Sequence, residues 1–132
     1  MDDIRIFTGK NKTPARQSVL GVLTCGAAVA ENPANGPHAA GAETVAQVYD
    51  RLLPEFRRCL LPKCAAAFGT LEITGQETPV LYVIATVGGA AERYIAQAAK
   101  RYGAYEALVA DAMADSSLFE FEKEFLPWIR QL

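Results

Sequence analysis

Histidine is almost absent from this chain, which has one, His38, in 132 residues. No G-x-S-x-G elbow accompanies it, so nucleophilic catalysis that needs a base beside a Ser or Cys finds no support in the sequence. The three cysteines, Cys25, Cys59 and Cys64, form neither an even disulfide set nor a C-x-x-C pair, and they read as reduced thiols. Thirteen Lys and Arg stand against fifteen Asp and Glu, giving a net charge of −2 with no basic stripe. Nucleic acid and anionic membrane surfaces are therefore not expected as partners. The longest apolar stretch, Val19 to Ala30, is too short to span a bilayer and lacks the flank and position of a signal peptide, which predicts a cytoplasmic protein. P-loop and dinucleotide fingerprints are missing, and there are no repeats or low-complexity tracts.

Apolar side chains, at 51% of the total, are plentiful enough for one domain covering residues 1–132. Asp2 to Phe7 alternates and suggests a short edge strand or a frayed terminus. Thr13-Pro14 has the chemistry of an N-cap followed by a first helical residue, predicting a helix from there to about Ala30. Residues 32–41 are rich in Pro, Gly and Asn and form a predicted surface loop that holds His38. From Glu43, Val45, Val48, Tyr49, Leu52, Leu53 and Phe56 recur at helical spacing, with a kink or break expected at Pro54. Arg57 and Arg58 then face solvent or form an anion clamp.

The segment from Ala65 to Arg93 is the one that suggests a site. Ala67–Ile73 and Val80–Thr86 read as a β-hairpin around a turn at residues 74–79. Thr86-Val87-Gly88-Gly89 then leads into a helix near Ala90. Thr86, Gly88, Gly89, Glu92 and Arg93 are the candidate ligand-binding residues, because a strand feeding a helix N-terminus offers amide N–H groups to an anion or carboxylate. A plain strand-to-helix connection explains the same residues, with Glu92 complementing the helix dipole. Asp111 and Asp115 share a helix face, as a solvated edge or as metal ligands. Past Gly103, which reads as a helix C-cap or a close-packing point, Tyr105 to Met113 continues in helical period. Ser116 to Leu132 follows with more apolar residues than one stripe needs. Either that terminus wraps into the core or it presents Phe121, Phe125 and Trp128 as interface residues. The fold class expected is α+β, a small and largely antiparallel sheet with a central hairpin packed by several helices.

Val80 to Arg93, together with the helical run Ala104 to Ala114, resembles the core of the cobalamin-dependent methionine synthase activation domain family. There a strand ends in a Thr-x-Gly turn, a helix with an early Glu follows, and the next helix carries a small-residue Asp-Ala-x-Ala run. Arg16 to Gly21 is similar to the family's N-terminal helix. The resemblance implies S-adenosylmethionine as ligand and a corrinoid protein or methyltransferase as partner. The family's Arg-x-x-x-Gly-Tyr motif has no counterpart in this sequence. The resemblance therefore implies a truncated, non-catalytic accessory relative, with a homodimer completing its surface. A homodimeric structural or interaction module that pairs through its C-terminal helix, without any small-molecule ligand, is the alternative.

Overall fold

A computed structural model of the chain describes residues 3–10, 13–23 and 44–132. In order these form β1 (Ile4–Thr8), α1 (Arg16–Leu23), α2 (Val45–Cys59), β2 (Lys63–Ile73), β3 (Gln76–Thr86), α3 (Gly89–Arg101) and α4 (Ala104–Arg130). The strands make one antiparallel sheet in the order β1-β2-β3, so the expected α+β class is observed. Cys25, His38, the loop at residues 32–41 and any continuation of α1 beyond Leu23 lie outside the described residues.

The hairpin is longer and tighter than its sequence suggests. β2 runs to Ile73 and β3 begins at Gln76, leaving a two-residue turn at Thr74 and Gly75 with φ of 50° and 78°. Positive φ at both positions is what a type I′ hairpin turn requires. Pro79 pairs opposite Thr70 inside β3, where a proline is tolerated because β3 is an edge strand.

Thr44 starts α2 with a reciprocal cap: the Gln47 N–H donates to Thr44 Oγ1 at 3.3 Å, and the Thr44 N–H donates to Gln47 Oε1 at 2.8 Å. Of the kink or break expected at Pro54, the break does not occur: α2 is continuous to Cys59 and ends before Pro62, as expected. Proline there removes one backbone bond, while buried Val48, Tyr49, Leu52 and Phe56 anchor the helix on both sides of it. α1 begins at Arg16, two residues after Pro14, because the residues before it are engaged elsewhere. The Tyr49 hydroxyl donates to the Pro14 carbonyl at 3.0 Å, and the Ala15 N–H donates to Ser116 Oγ at 2.9 Å.

Residues 104–130, which read as two segments, form a single helix of 27 residues that joins two cores. Its first half packs through Val109, Ala110 and Met113 against Val48, Leu52 and Phe56 of α2 and Tyr94 of α3. Its second half lies under the sheet, where Phe121 and Phe125 enclose Cys64 with Phe7 and Ala85 beside them. Phe7 stacks on Phe121 at 6.0 Å and on Trp128 at 5.3 Å between centroids. Phe121 is fully buried, Phe125 nearly so and Trp128 partly so. The interface assigned to these three aromatics is thereby corrected: their rings are used up in attaching α4 to the sheet. The exposed aromatic of this helix is Phe119.

Strand pairing assigns the two faces of the sheet. Phe7, Cys64, Ala66 and Ala85 fall on the face that α4 covers. Ile4, Ile6, Ala65, Ala67, Tyr82 and Ile84 fall on the other face, on which Ile4 is 65%, Ile6 61% and Ile84 74% exposed. Leu71 and Ile73 extend this exposed apolar face toward the hairpin tip.

Candidate functional site

β3 and α3 bring Thr86, Gly88, Gly89, Glu92 and Arg93 together at one end of the sheet. Thr86 Oγ1 accepts the Gly88 N–H at 3.0 Å, so the side chain of the last strand residue closes the turn. Gly88 has φ of 100°, and a Cβ there would stand 3.0 Å from the Leu61 carbonyl oxygen. The Leu61 N–H also donates to the Val87 carbonyl at 2.9 Å. Gly88 is thus required by positive φ and by the passage of the Leu61 backbone. Packing alone accounts for this residue.

Gly89 is different. It is exposed, and its ideal Cβ position lies 3.3 Å from an Arg93 guanidinium nitrogen, so the cation folds back over the first turn of its own helix. Thr86, Glu92 and Arg93 are also exposed, and among the described residues neither Glu92 nor Arg93 forms an ion pair. Glu92 in the same turn complements the helix dipole, and the Arg93 guanidinium over Gly89 is the cationic group there that could meet an anion.

A second polar cluster was not legible from spacing. Glu55 of α2 accepts hydrogen bonds from the Tyr94 hydroxyl at 2.9 Å and the Tyr102 hydroxyl at 3.0 Å. Arg101 stands 3.9 Å away, and its guanidinium also lies over the Tyr102 ring. The Tyr94 hydrogen bond, aided by Tyr102, Arg101 and Arg58, holds the Glu55 carboxyl below its ordinary value despite some desolvation. Burial, with the same Glu55 bond, pushes the Tyr94 hydroxyl well above the usual tyrosine range. Both Glu55 oxygens and both tyrosine hydroxyls have partners, so the cluster ties α2 to α3. The residues lie 39 and 47 positions apart in sequence, and only folding brings them together.

Burial pushes the Cys64 thiol up, while Cys59 is half-buried, and both are free thiols. Asp111 and Asp115 are both exposed, and no group of three or more metal-ligating side chains occurs among the described residues. Burial, then the neighbouring Asp111 charge, raises the Asp115 carboxyl. Arg57 and Arg58 are exposed. A depression of about 180 Å³ lies on the α4 side of the sheet, lined by Arg5, Phe68, Leu81 and Leu132 with Asp3 and Ala66. It is below the ~300 Å³ at which small-molecule pockets begin, and none of the five junction residues lines it.

Among the described residues, no helix is long and apolar enough to cross a membrane. These features define an α+β domain with an exposed strand-to-helix junction and one sheet face that no helix among the described residues covers. No family model matches the chain, and no curated protein or solved structure matches it.

Proposed function

We propose that this protein is a non-catalytic accessory protein of corrinoid- and S-adenosylmethionine-linked methyl transfer, binding an anionic group of a small molecule or partner at Thr86, Gly88, Gly89, Glu92 and Arg93. The observation that carries the reading is the Arg93 guanidinium lying over exposed Gly89 at the first turn of α3. A carboxylate such as that of S-adenosylmethionine suits such a place, since helix amides and guanidinium both donate to it. The link to methyl transfer is supported by the resemblance of Val80–Arg93 and Ala104–Ala114 to the methionine synthase activation domain family. A corrinoid protein or a methyltransferase would be the partner.

Thermal unfolding with and without S-adenosylmethionine, and with a cobalamin-loaded protein, tests this reading. A ligand at about a hundredfold excess over its Kd stabilises the native state by about 2.7 kcal/mol, so the midpoint must rise. Arg93→Ala should abolish that rise while leaving the unliganded midpoint in place. An unchanged midpoint for the unsubstituted chain at saturating ligand counts against the reading.

A second reading, an interaction module with no small-molecule ligand, is favoured by one specific observation: the apolar sheet face that no helix among the described residues covers.

A further inference from the structure

β3 is an edge strand, paired with β2 on one side and with no strand among the described residues on the other. The two-residue turn makes Ile73 and Gln76 a hydrogen-bonded pair, so every second residue from Gln76 onward turns its backbone toward β2. Glu77, Pro79, Leu81, Val83 and Ala85 turn theirs outward, and Pro79, with no N–H to leave unpaired, fits that phase. Val87 ends the series, because its carbonyl turns back to accept the Leu61 N–H. Among the described residues, no backbone bond reaches the outer groups of Leu81, Val83 and Ala85. Strand edges are ordinarily blunted by charge or proline, and here only the half near the turn is, by Glu77 and Pro79. Val80–Thr86 carries neither, and Tyr82, Val83 and Ile84 leave it exposed on both faces.

The two ends of this hairpin also carry opposite charges that the fold does not neutralise. At the tip, Glu72 and Glu77 stand directly opposite each other, both exposed, an arrangement in which like charges repel. Glu77 Oε1 accepts the Thr70 hydroxyl at 3.1 Å, and among the described residues neither carboxylate has an ion pair. At the other end lies the Arg93 guanidinium over Gly89, likewise without one.

We infer that the β3 edges of two copies of this chain pair antiparallel about Val83, and that the partner's Glu77 supplies an anion to the Arg93 junction. The run of free outward groups is centred on Val83, which fixes the register. Leu81 then pairs with the partner's Ala85, and Tyr82 stands beside the partner's Ile84, an aromatic against a β-branched chain. Pro79 falls opposite the partner's Val87, so the residues that end the ladder on each strand meet. Two residues further, ~7 Å along the strand, Glu77 comes level with the partner's Gly89. The two-fold axis runs perpendicular to the sheet and keeps each face on its own side. Glu77 lies on the face that α4 covers, and α3 packs on α4, so the carboxylate arrives on the side from which the partner's α3 starts. Charge complementarity is what selects a second copy as occupant: one chain carries both the acidic tip and the cationic junction at the separation this register needs. The contact uses one strand twice and closes as a dimer. The proposal rests on the reading of the junction as an anion site and names the anion.

Sedimentation velocity of the full chain over a wide concentration range tests it. The unsubstituted protein should run as a dimer. Val83→Pro removes the outward N–H at the axis from both copies while sparing the bonds to β2, and should weaken association about thirtyfold. Glu77→Arg and Arg93→Glu should each weaken it about tenfold, since the contact occurs twice, and the double variant Glu77→Arg/Arg93→Glu should restore it. Glu77→Arg also relieves the repulsion with Glu72 and should raise the thermal midpoint of the monomer, so its loss of association is not a loss of folding. A dimer that survives Val83→Pro, a charge swap that fails to rescue, or a monomer at every concentration overturns the pairing. The junction reading fails separately: S-adenosylmethionine that leaves the midpoint of the monomeric Glu77→Arg chain unchanged removes the small-molecule ligand and not the dimer. A ligand-induced rise in an unsubstituted chain that stays monomeric overturns the pairing alone.

Discussion

The helices and the sheet treat their apolar residues in opposite ways. In the helical half, Val48, Leu52, Phe56, Tyr94, Val109 and Met113 are closed off from water, and Glu55 is paired with Tyr94 and Tyr102. The sheet has one face joined to α4 through Phe121 and Phe125 and another on which four isoleucines stand exposed. A fold that closes one half this thoroughly has the means to close the other. The difference locates stability, which resides in the helices and in the α4 attachment; the proposed recognition falls instead on the exposed junction where the sheet meets α3.

The largest effect should come from breaking the attachment between the halves. Phe121→Ala removes the ring that stacks on Phe7 and lies against Phe125, and should cost about 3–5 kcal/mol in urea unfolding. Ile84→Thr on the open face should change monomer stability by no more than about 0.5 kcal/mol at concentrations where association is absent. Equal losses would erase the distinction between the two faces. Next comes Gly9→Ala. A Cβ at Gly9 would approach the Phe121 ring to 2.7 Å and the Pro62 side chain to 2.9 Å, so a loss of about 1–3 kcal/mol is expected.

Within the helical half, Tyr94→Phe should cost about 1 kcal/mol near neutral pH, measured by denaturant titration. It should also alter the pH dependence. The folded Tyr94 hydroxyl titrates above its unfolded value of 10.0, so its contribution is complete below that pH and is lost as pH rises through the folded value. Glu55 is shifted the other way, so its contribution is present above its unfolded value of 4.5 and is lost as pH falls through the lower folded value. Tyr94→Phe should therefore reduce both the alkaline and the acid loss, though burial raises Tyr49 and Tyr105 as well and part of the alkaline loss will remain. The smallest effect is expected of Asp115→Asn. Asp115 is raised by burial and by Asp111 one turn earlier, so removing its charge should stabilise the protein by about 0.2–0.5 kcal/mol in thermal unfolding at neutral pH.

Local signals carried much of the fold. Alternation and turn chemistry around residues 67–86 predicted the hairpin, and the spacing from Val45 to Phe56 predicted α2. Proline was a coarse guide: α2 runs unbroken through Pro54, and α1 starts at Arg16, two residues after Pro14. The aromatic run in α4 showed that two sides of the helix are apolar without saying what meets them. That Phe121 and Phe125 face the sheet depends on residues of β1 and β2 distant in the chain. The same holds for the exposed face: the continuous run from Val80 to Ala85 supplies apolar residues to both faces, and nothing local tells which face a helix covers. At the junction, Gly88 was legible as a backbone device, whereas the position of Arg93 over Gly89 was not.

Isoleucine methyl NMR tests the contrast between the two halves most directly, since the chain has six isoleucines and four of them, Ile4, Ile6, Ile73 and Ile84, lie exposed on the face that no helix among the described residues covers. A soluble paramagnetic probe should broaden those four methyl signals while Ile95 and Ile129, packed against the two cores, stay sharp. Invariance of all six, or broadening confined to Ile95 and Ile129, would contradict that difference.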